Sequence, residues 1–270
     1  MATGERGKAM ITSSSNPQLK YVQQLAKKAR TRREDGVFLV EGPRMFYEAP
    51  KAQIKKSYLS ERFYNSMEDR SVLEGTYWEL VEDRVFDKMS APMTPQGVLC
   101  VLRQPSYRME DLLKKEKPLL VFLENLQDPG NMGTIFRTAE GAGADGSHAR
   151  TADCVDIYNP KTIRSTMGSI YRMPFVCLKE GEMIKTLTYL RERGIATCAA
   201  HLKGEHTYDK EDYTTGCAFM IGNEGNGLTD EAAQAASLKV RIPMEGKLES
   251  LNASVAASIL LYEAYRQRRQ

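Results

Sequence analysis

Two different patterns of apolar and polar positions divide this sequence. From Pro118 onward, short apolar runs alternate with segments in which apolar residues recur at helical spacing. The first run, Leu119–Leu123, is unbroken, which is typical of a strand buried on both faces. Such alternation predicts an α/β fold with a mostly parallel sheet covered by helices. The predicted strands are 119–123, 175–178, 195–200, 217–221 and 240–242. The predicted helices are 132–140, 161–169, 183–193, 230–236 and 251–268.

The residues before Pro118 predict a smaller α/β unit. Four short strands, at 37–40, 57–59, 78–81 and 98–102, are separated by helical stretches. A charged segment with a proline near each end follows, so that we expect a linker at 105–117. The predicted organisation is a flexible leader at 1–15, a first domain at 16–104, the linker, and a second domain at 118–270.

A basic amphipathic stretch, Lys20–Arg33, opens the first domain. Leu19, Val22 and Leu25 recur at helical spacing, and no acidic residue lies within the stretch. Two interpretations stay open: an ordinary solvated helix face, or a surface that follows RNA phosphates. In the second case the candidate RNA-binding residues are Lys20, Lys27, Lys28, Arg30, Arg32 and Arg33.

Composition excludes several classes of protein. The chain has 270 residues and a net charge of +3. Residues 1–105 hold 17 basic and 13 acidic residues, and the remainder holds 21 and 22. No apolar run is long enough to span a bilayer, and the first residues lack the core of a signal peptide. Five scattered cysteines and three histidines argue against a disulfide scaffold and against a metal site. We therefore expect a cytoplasmic protein without metal.

One apparent motif carries no chemistry. The sequence GAGADG at 141–146 has dinucleotide-binding spacing, but it follows a predicted helix where that fingerprint must follow a strand. It is better interpreted as the end of a helix. No GxSxG and no Ser–His–acid set indicate a hydrolase. The segment 147–153 that follows is polar, and its residues do not predict a central strand.

Three polar loops, at 124–137, 222–227 and 242–252, each follow a predicted strand and are rich in Gly, Asn or Pro. In the first loop, Pro129 and Gly130 predict a turn and Asn131 the N-cap of the next helix. Because ligands of parallel α/β sheets bind beyond the carboxyl ends of the strands, the three loops predict one composite site.

These loops closely resemble the three motifs of the SpoU (TrmH-type) RNA 2′-O-ribose methyltransferases of the SPOUT superfamily. The resemblance lies in DPGNMGTIFRTAEGAG at 128–143, FMIGNEGNGL at 219–228, and the long segment 240–267. Segments 38–49 and 94–102 resemble the L30-like RNA-binding domain that is often fused before the catalytic domain.

The resemblance implies a methyltransferase that uses S-adenosyl-L-methionine (AdoMet), a trefoil knot in a C-terminal SPOUT domain, and a homodimer. Its implied cofactor-binding residues are Gly222, Ile242 and Leu251. The implied catalytic residues are Asn131, Arg137, Glu224, Ser250 and Asn252. For Arg137, two roles stay open: an unusual base, or a cation that holds a phosphate and stabilises an alkoxide. The closing helix supplies either the dimer interface or the core.

Ribosomal RNA is the preferred substrate, because the L30-like domain is commoner among enzymes that act on rRNA. The alternatives are a tRNA 2′-O-methyltransferase and a non-catalytic protein that binds RNA or assists ribosome assembly. Methylation of a base is the weaker alternative, because none of the three loops contains a cysteine nucleophile.

Overall fold

The structure is a computed structural model that describes residues 10–89, 95–150, 153–179 and 181–269. In chain order, the strands are β1 Val37–Glu41, β2 Ile54–Ser60, β3 Trp78–Val81, β4 Val98–Arg103, β5 Leu119–Leu123, β6 Gly146–Arg150, β7 Phe175–Cys177, β8 Ala196–Ala200, β9 His206–Thr207, β10 Cys217–Ile221 and β11 Leu238–Arg241. The α-helices are α1 Pro17–Lys27, α2 Ala29–Asp35, α3 Pro43–Glu48, α4 Glu61–Ser66, α5 Asp83–Met89, α6 Met109–Leu112, α7 Pro129–Gly141, α8 Pro160–Thr166, α9 Met183–Glu192, α10 Asp230–Ala235 and α11 Ala253–Arg268.

The chain forms two compact units. Unit 1 contains the described residues of Met1–Pro105 together with Tyr158–Tyr171, and unit 2 contains those of Ser106–Ile157 and Arg172–Gln270. The segment 158–171, which the sequence assigned to the second domain, therefore groups with the N-terminal residues. The Tyr158 ring lies 4.9 Å from that of Phe38, measured between centroids, and α8 packs on β1. The other predicted boundaries, those of the leader, the two domains and the linker, remain predictions.

Unit 1 is built on a four-stranded sheet in the order β1-β4-β2-β3. Only β2 and β3 are parallel, and β4 is antiparallel to both of its neighbours. Helix α1 begins where the Asn16 side chain accepts a hydrogen bond from the Gln18 N–H, and it buries Leu19, Val22 and Leu25 as the spacing predicts. These side chains join a core with sheet residues such as Val101.

The basic stretch is not one helix. Lys28 adopts extended backbone angles and separates α1 from α2. The guanidinium of Arg32 turns back to donate hydrogen bonds to the carbonyls of Leu25 and Ala26, and this side chain is buried. Arg32 therefore connects the two helices, and because it is buried it is not one of the exposed candidate RNA-binding residues. Lys20, Lys27, Lys28, Arg30 and Arg33 are exposed, and Arg30 pairs with Glu34.

Unit 2 contains the predicted parallel sheet, with seven strands in the order β7-β6-β5-β10-β8-β11-β9. The adjacent strands β5 and β10 are entirely buried, as their unbroken apolar runs predict. They run in register from Leu119 opposite Cys217 to Leu123 opposite Ile221, so that both end at the same edge. Helices α9 and α10 share an apolar core with these strands, and α11 packs against α7 and β10. The α/β fold class is confirmed; the knot stays a prediction.

Residues 147–150 of the polar segment 147–153 form part of a strand, β6. Strand β6 lies between β5 and β7, with a register irregularity after His148, and Ser147 is buried within it. The expectation that this segment is too polar for a central strand was wrong for residues 147–150, because two neighbouring strands satisfy their backbone groups. Asp153 lies in a turn. Residues 151–152 lie outside the described part.

The glycine-rich sequence at 141–146 ends a helix, as predicted. Gly141 is the last residue of α7, Gly143 has a φ of +73°, and β6 starts at Gly146. Within the described ranges, no helix combines the length and apolar character that a membrane crossing needs.

Candidate active site

The three predicted loops meet at one edge of the unit 2 sheet. They follow β5, β10 and β11, and parallel strands that pair in one sheet place their carboxyl ends on the same side. The backbone N–H of Glu124, just after β5, donates to the carbonyl of Ile221, the last residue of β10. This bond holds the first two loops side by side where they leave the sheet.

The carboxylate of Glu224 holds the start of the first helix. One oxygen accepts from the Gln127 N–H at 3.1 Å, and the other accepts from the Asp128 N–H at 3.0 Å and from the Asn131 side-chain amide at 3.1 Å. Three donors therefore converge on one carboxylate. Glu224 is more than 90 residues away from each donor in the sequence, so only the fold brings them together.

Hydrogen bonding lowers the pKa of Glu224. Partial burial raises the pKa of this carboxyl. The hydrogen bonds from Asp128, Asn131 and Gln127 favour the ionised form, and together they lower the pKa by more than burial raises it. The net effect is a pKa below the ordinary value for glutamate. The carboxylate is therefore ionised at neutral pH and acts as a fixed acceptor in this network.

Asn131 extends the network to the third loop. Its side-chain oxygen accepts from the amide of Asn252 at 3.0 Å. Asn252 is in turn the N-cap of α11, where its oxygen accepts from the Ser254 N–H at 2.9 Å and from the Ser254 hydroxyl at 2.7 Å. The chain Glu224–Asn131–Asn252 thus connects all three motifs and aligns the start of α11 with α7.

Asn131 is not the N-cap of its own helix. The side chain of Asp128 accepts from the Asn131 N–H at 2.7 Å, so Asp128 is the N-cap of α7 and Pro129 its first residue. An Asp directly before Pro is a frequent signal for a helix start, and it was available in the sequence. The correction leaves the Asn131 side chain free to bridge two loops.

A second connection between the first two loops was missed by the sequence reasoning. The buried carboxylate of Glu124 accepts from the N–H and from the hydroxyl of Thr229, both at 2.8 Å. Thr229 is the N-cap of α10. The amide of Asn223 also donates to the Asn125 carbonyl at 2.9 Å. No local pattern signals these pairs, because each joins residues that lie about 100 positions apart.

Two predicted catalytic residues lie outside this network. Arg137 is on α7, two turns after the cap, and its exposed side chain has no recorded ion pair or hydrogen bond within the described residues. Ser250 is exposed in the irregular segment before α11, again without a recorded partner in that part of the chain. The structure therefore joins Asn131, Glu224 and Asn252, and it leaves the roles of Arg137 and Ser250 as predictions.

Two of the predicted cofactor residues, Gly222 and Ile242, directly follow β10 and β11, and the third, Leu251, lies two residues before α11. At Gly222, an added Cβ would lie 2.1 Å from the carbonyl carbon of Gly227, so the loop folds back closely on itself. Ile242 and Leu251 are half-buried and bound a segment that forms neither helix nor strand. The peptide groups of that segment make no β-sheet hydrogen bonds, so they can bind a ligand that also packs between the apolar side chains.

In the ranges that the structure describes, no group of three or more His, Cys, Asp or Glu side chains is placed to hold a metal ion.

Family models match two segments of this chain. Residues 118–262 match the SpoU rRNA Methylase family, and residues 16–100 match the MRM3-like substrate binding domain. The 23S rRNA (guanosine(2553)-2′-O)-methyltransferase RlmP of Bacillus subtilis is 31% identical over 93% of this chain and 97% of its own length.

Two solved structures resemble the whole chain. The SpoU methyltransferase AviRb from Streptomyces viridochromogenes, in complex with AdoMet, has a TM-score of 0.85 and 28% identity over 94% of this chain and 99% of its own. An AdoMet-bound rRNA methyltransferase from Sinorhizobium meliloti has a TM-score of 0.84 and 30% identity over 96% of this chain and 97% of its own.

Proposed function

The chain belongs to the SpoU rRNA methylase family, and from that premise we propose that it transfers a methyl group from AdoMet to a ribose 2′-OH of ribosomal RNA. The observation that carries the proposal is the hydrogen-bonded chain Glu224–Asn131–Asn252, which joins the three family motifs at one sheet edge. Ribosomal RNA is favoured over tRNA because RlmP and the Sinorhizobium meliloti protein are both named as rRNA methyltransferases. We place the activity in the cytoplasm.

Gly222, Ile242 and Leu251 are proposed to hold AdoMet. They would contribute backbone amide and carbonyl groups beside apolar side chains, and such a set of groups fits an adenine ring that is hydrogen-bonded by peptide groups and packed between apolar side chains. When bound, AdoMet supplies a methyl group on a sulfonium, which reacts by in-line displacement. Because such a reaction depends on alignment, the role of the protein is largely to position the two reacting atoms.

The Asn131 network is proposed to set that alignment. Glu224 fixes the first turn of α7, and Asn252 fixes the first turn of α11, so Asn131 keeps the first and third loops at a constant separation. Ser250 lies two residues before Asn252, and we propose that it helps to fix the geometry of the third loop. Displacement of the loops by about 1 Å would disturb the attack geometry and lower the rate.

Arg137 is proposed to act as a cation. Guanidinium groups in water stay protonated at neutral pH, so an exposed arginine is a poor base. A fixed positive charge holds an RNA phosphate and stabilises the alkoxide that develops as the 2′-OH loses its proton to solvent. The exposed side chain, with no recorded partner in the described residues, is available for this contact.

We also propose that the protein is a homodimer through α11. Val255 and Tyr262 lie seven residues apart, on one helix face, and are 45% and 48% exposed. Ala257, Leu260 and Leu261 on the other face are buried, so the core uses the opposite side of the helix. Val255→Glu should shift the protein from dimer to monomer in sedimentation equilibrium. A Val255→Glu protein that sediments like the wild type would contradict this interface.

Methyl transfer from labelled AdoMet to rRNA and tRNA pools tests the function, with the product nucleosides identified by mass spectrometry. We expect a 2′-O-methylnucleoside from rRNA that is lost in Arg137→Ala and kept in Arg191→Ala. Arg191 is the matched control, because it is an exposed arginine on α9, outside the three loops. The same product from tRNA alone would overturn the substrate. A base-methylated product would overturn the chemistry, and no product from RNA or ribosomal subunits would favour the non-catalytic alternative.

A further inference from the structure

Unit 1 contains a cavity of about 460 Å³ that the methyl-transfer site does not use. It lies between the start of α1, strand β2 and the residue just before β3, on the sheet face that α1 covers. Three aromatic rings line it. Tyr58 is almost completely buried, Tyr21 is half-buried on α1, and Tyr77 is 70% exposed.

The polar groups inside this cavity are already paired with one another. The Lys56 amine donates to the side chains of Gln18 and Glu79, and the Gln18 amide donates to Glu79 at 3.1 Å. The Tyr58 hydroxyl donates to the Gln18 oxygen at 3.2 Å. A small anion would therefore find no unmet charge at the base of the cavity. What the cavity offers to a ligand is ring surface.

One cation remains available beside the rings. Lys55 is exposed, lines the cavity, and has no recorded ion pair or hydrogen bond among the described residues. The residues up to 105 also carry four more basic than acidic side chains. A flat aromatic ligand that carries a phosphate would use both the rings and this charge. A nucleotide has that chemistry.

We propose that this cavity binds one unstacked base of the RNA substrate against Tyr77 and Tyr21, with its phosphate beside Lys55. The inference rests on the proposed function for the presence of RNA, and it adds a recognition site in unit 1. Proteins read single-stranded RNA by stacking splayed bases on aromatic side chains, whereas bases inside a duplex are inaccessible to such a cavity. The volume is in the range of about 300–1,000 Å³ that is usual for ligand sites.

Binding of RNA to the full chain tests the inference. The probe is a short single-stranded RNA of mixed sequence that contains 4-thiouridine, and the readouts are anisotropy and photo-crosslinking. Tyr77→Ala should weaken binding by about 5- to 150-fold, the range for loss of one stacked base. Tyr77→Phe should bind like the wild type, because it keeps the ring. Tyr77 is largely exposed, so its substitution leaves the core of unit 1 intact.

The matched control is Tyr47→Ala, which removes a 50% exposed tyrosine of the same unit that does not line the cavity. This variant should bind the RNA normally, and crosslinks should map to Tyr21 or Tyr77. A duplex of the same length should compete poorly with the single strand, and free UMP should compete far more weakly than RNA.

The inference would be overturned by any of the following results: no binding of the single strand, wild-type affinity in Tyr77→Ala, duplex competing as well as single strand, or UMP competing as well as RNA. Tight binding of an acidic peptide at Tyr77 in place of RNA would do the same. Wild-type methylation of rRNA, measured separately, distinguishes failure of this inference from failure of the proposed function. If the protein methylates rRNA but Tyr77→Ala does not change its affinity for RNA, only the inference of a base-binding cavity fails and the proposed function stands.

Discussion

Replacing Asn131 by Asp tests the central hydrogen-bonded chain with almost no change in side-chain shape. Asn131 is 9% exposed, and its amide nitrogen lies 3.1 Å from an oxygen of Glu224. In Asn131→Asp, a carboxylate oxygen takes the place of that donor and faces another carboxylate. The oxygen that accepts from Asn252 is kept, so the substitution acts mainly on the contact with Glu224.

The expected cost has two parts. Loss of a hydrogen bond to a charged acceptor costs about 1.5–3 kcal/mol of unfolding free energy. Two unit charges at this distance repel by about 1 kcal/mol at the dielectric constant of water and by about 5 kcal/mol at an effective value near 20. Protonation of one carboxyl of ordinary pKa near 4 costs about 5.5 kcal/mol at pH 8 and so limits the penalty, and we therefore expect a total loss of about 2.5–5.5 kcal/mol near pH 8.

The loss should depend on pH. Repulsion raises the pKa values of the carboxyl pair in the folded state above those of the unfolded chain. The penalty is therefore present above the folded pKa values and decreases as the pH falls through them. Urea unfolding of wild type and Asn131→Asp at pH 8 and pH 5 measures this change, and methyl transfer to rRNA at pH 8 should fall about tenfold or more.

The matched control is Asn226→Asp, which makes the same change in net charge within the second loop. Asn226 is exposed, and only its backbone N–H has a recorded bond, to Asn223, among the described residues. This variant should lose less than about 0.5 kcal/mol, as surface substitutions usually do. Equal stability of Asn131→Asp and Asn226→Asp at both pH values would refute the argument that the Asn131–Glu224 bond holds the loops together.

Three further predictions follow from single contacts. Because the pKa of Glu224 is lowered in the folded state, its contribution to stability should be complete above the unfolded value of about 4.3 and should be lost as the pH falls through the folded value. In urea unfolding, the stability difference between wild type and Glu224→Gln should therefore shrink as the pH falls below about 4.3, and a constant difference would contradict the lowered pKa. Gly222→Ala should destabilise the protein by about 1–3 kcal/mol in thermal unfolding, because its Cβ meets backbone at 2.1 Å, whereas Gly246→Ala, where a Cβ meets nothing within 4 Å, should be near neutral. Arg32→Ala should cost about 3 kcal/mol in urea unfolding because it removes a buried guanidinium that holds two carbonyls, while the exposed Arg33→Ala should not; equal effects would show that Arg32 is an ordinary surface residue.

The sequence determined the elements whose signals are local. The unbroken run at 119–123 predicted β5 with its observed bounds, and the apolar spacing of Leu19, Val22 and Leu25 predicted the buried face of α1. The order of three glycine- and asparagine-rich loops predicted a composite site and identified the family. These signals survive in sequence because backbone conformation and burial of one face depend on residues within a few positions.

Only the tertiary structure determined which residues meet. It placed β10 between β5 and β8, made the polar segment at β6 a strand, and buried Arg32 between two helices. It also paired Glu124 with Thr229 and joined Glu224 to Asn252 through Asn131. The physical reason is that some of these contacts join residues far apart in the chain, and others satisfy backbone groups independently of the local side chains. Both depend on how the elements pack, and neither produces a periodic pattern in the sequence.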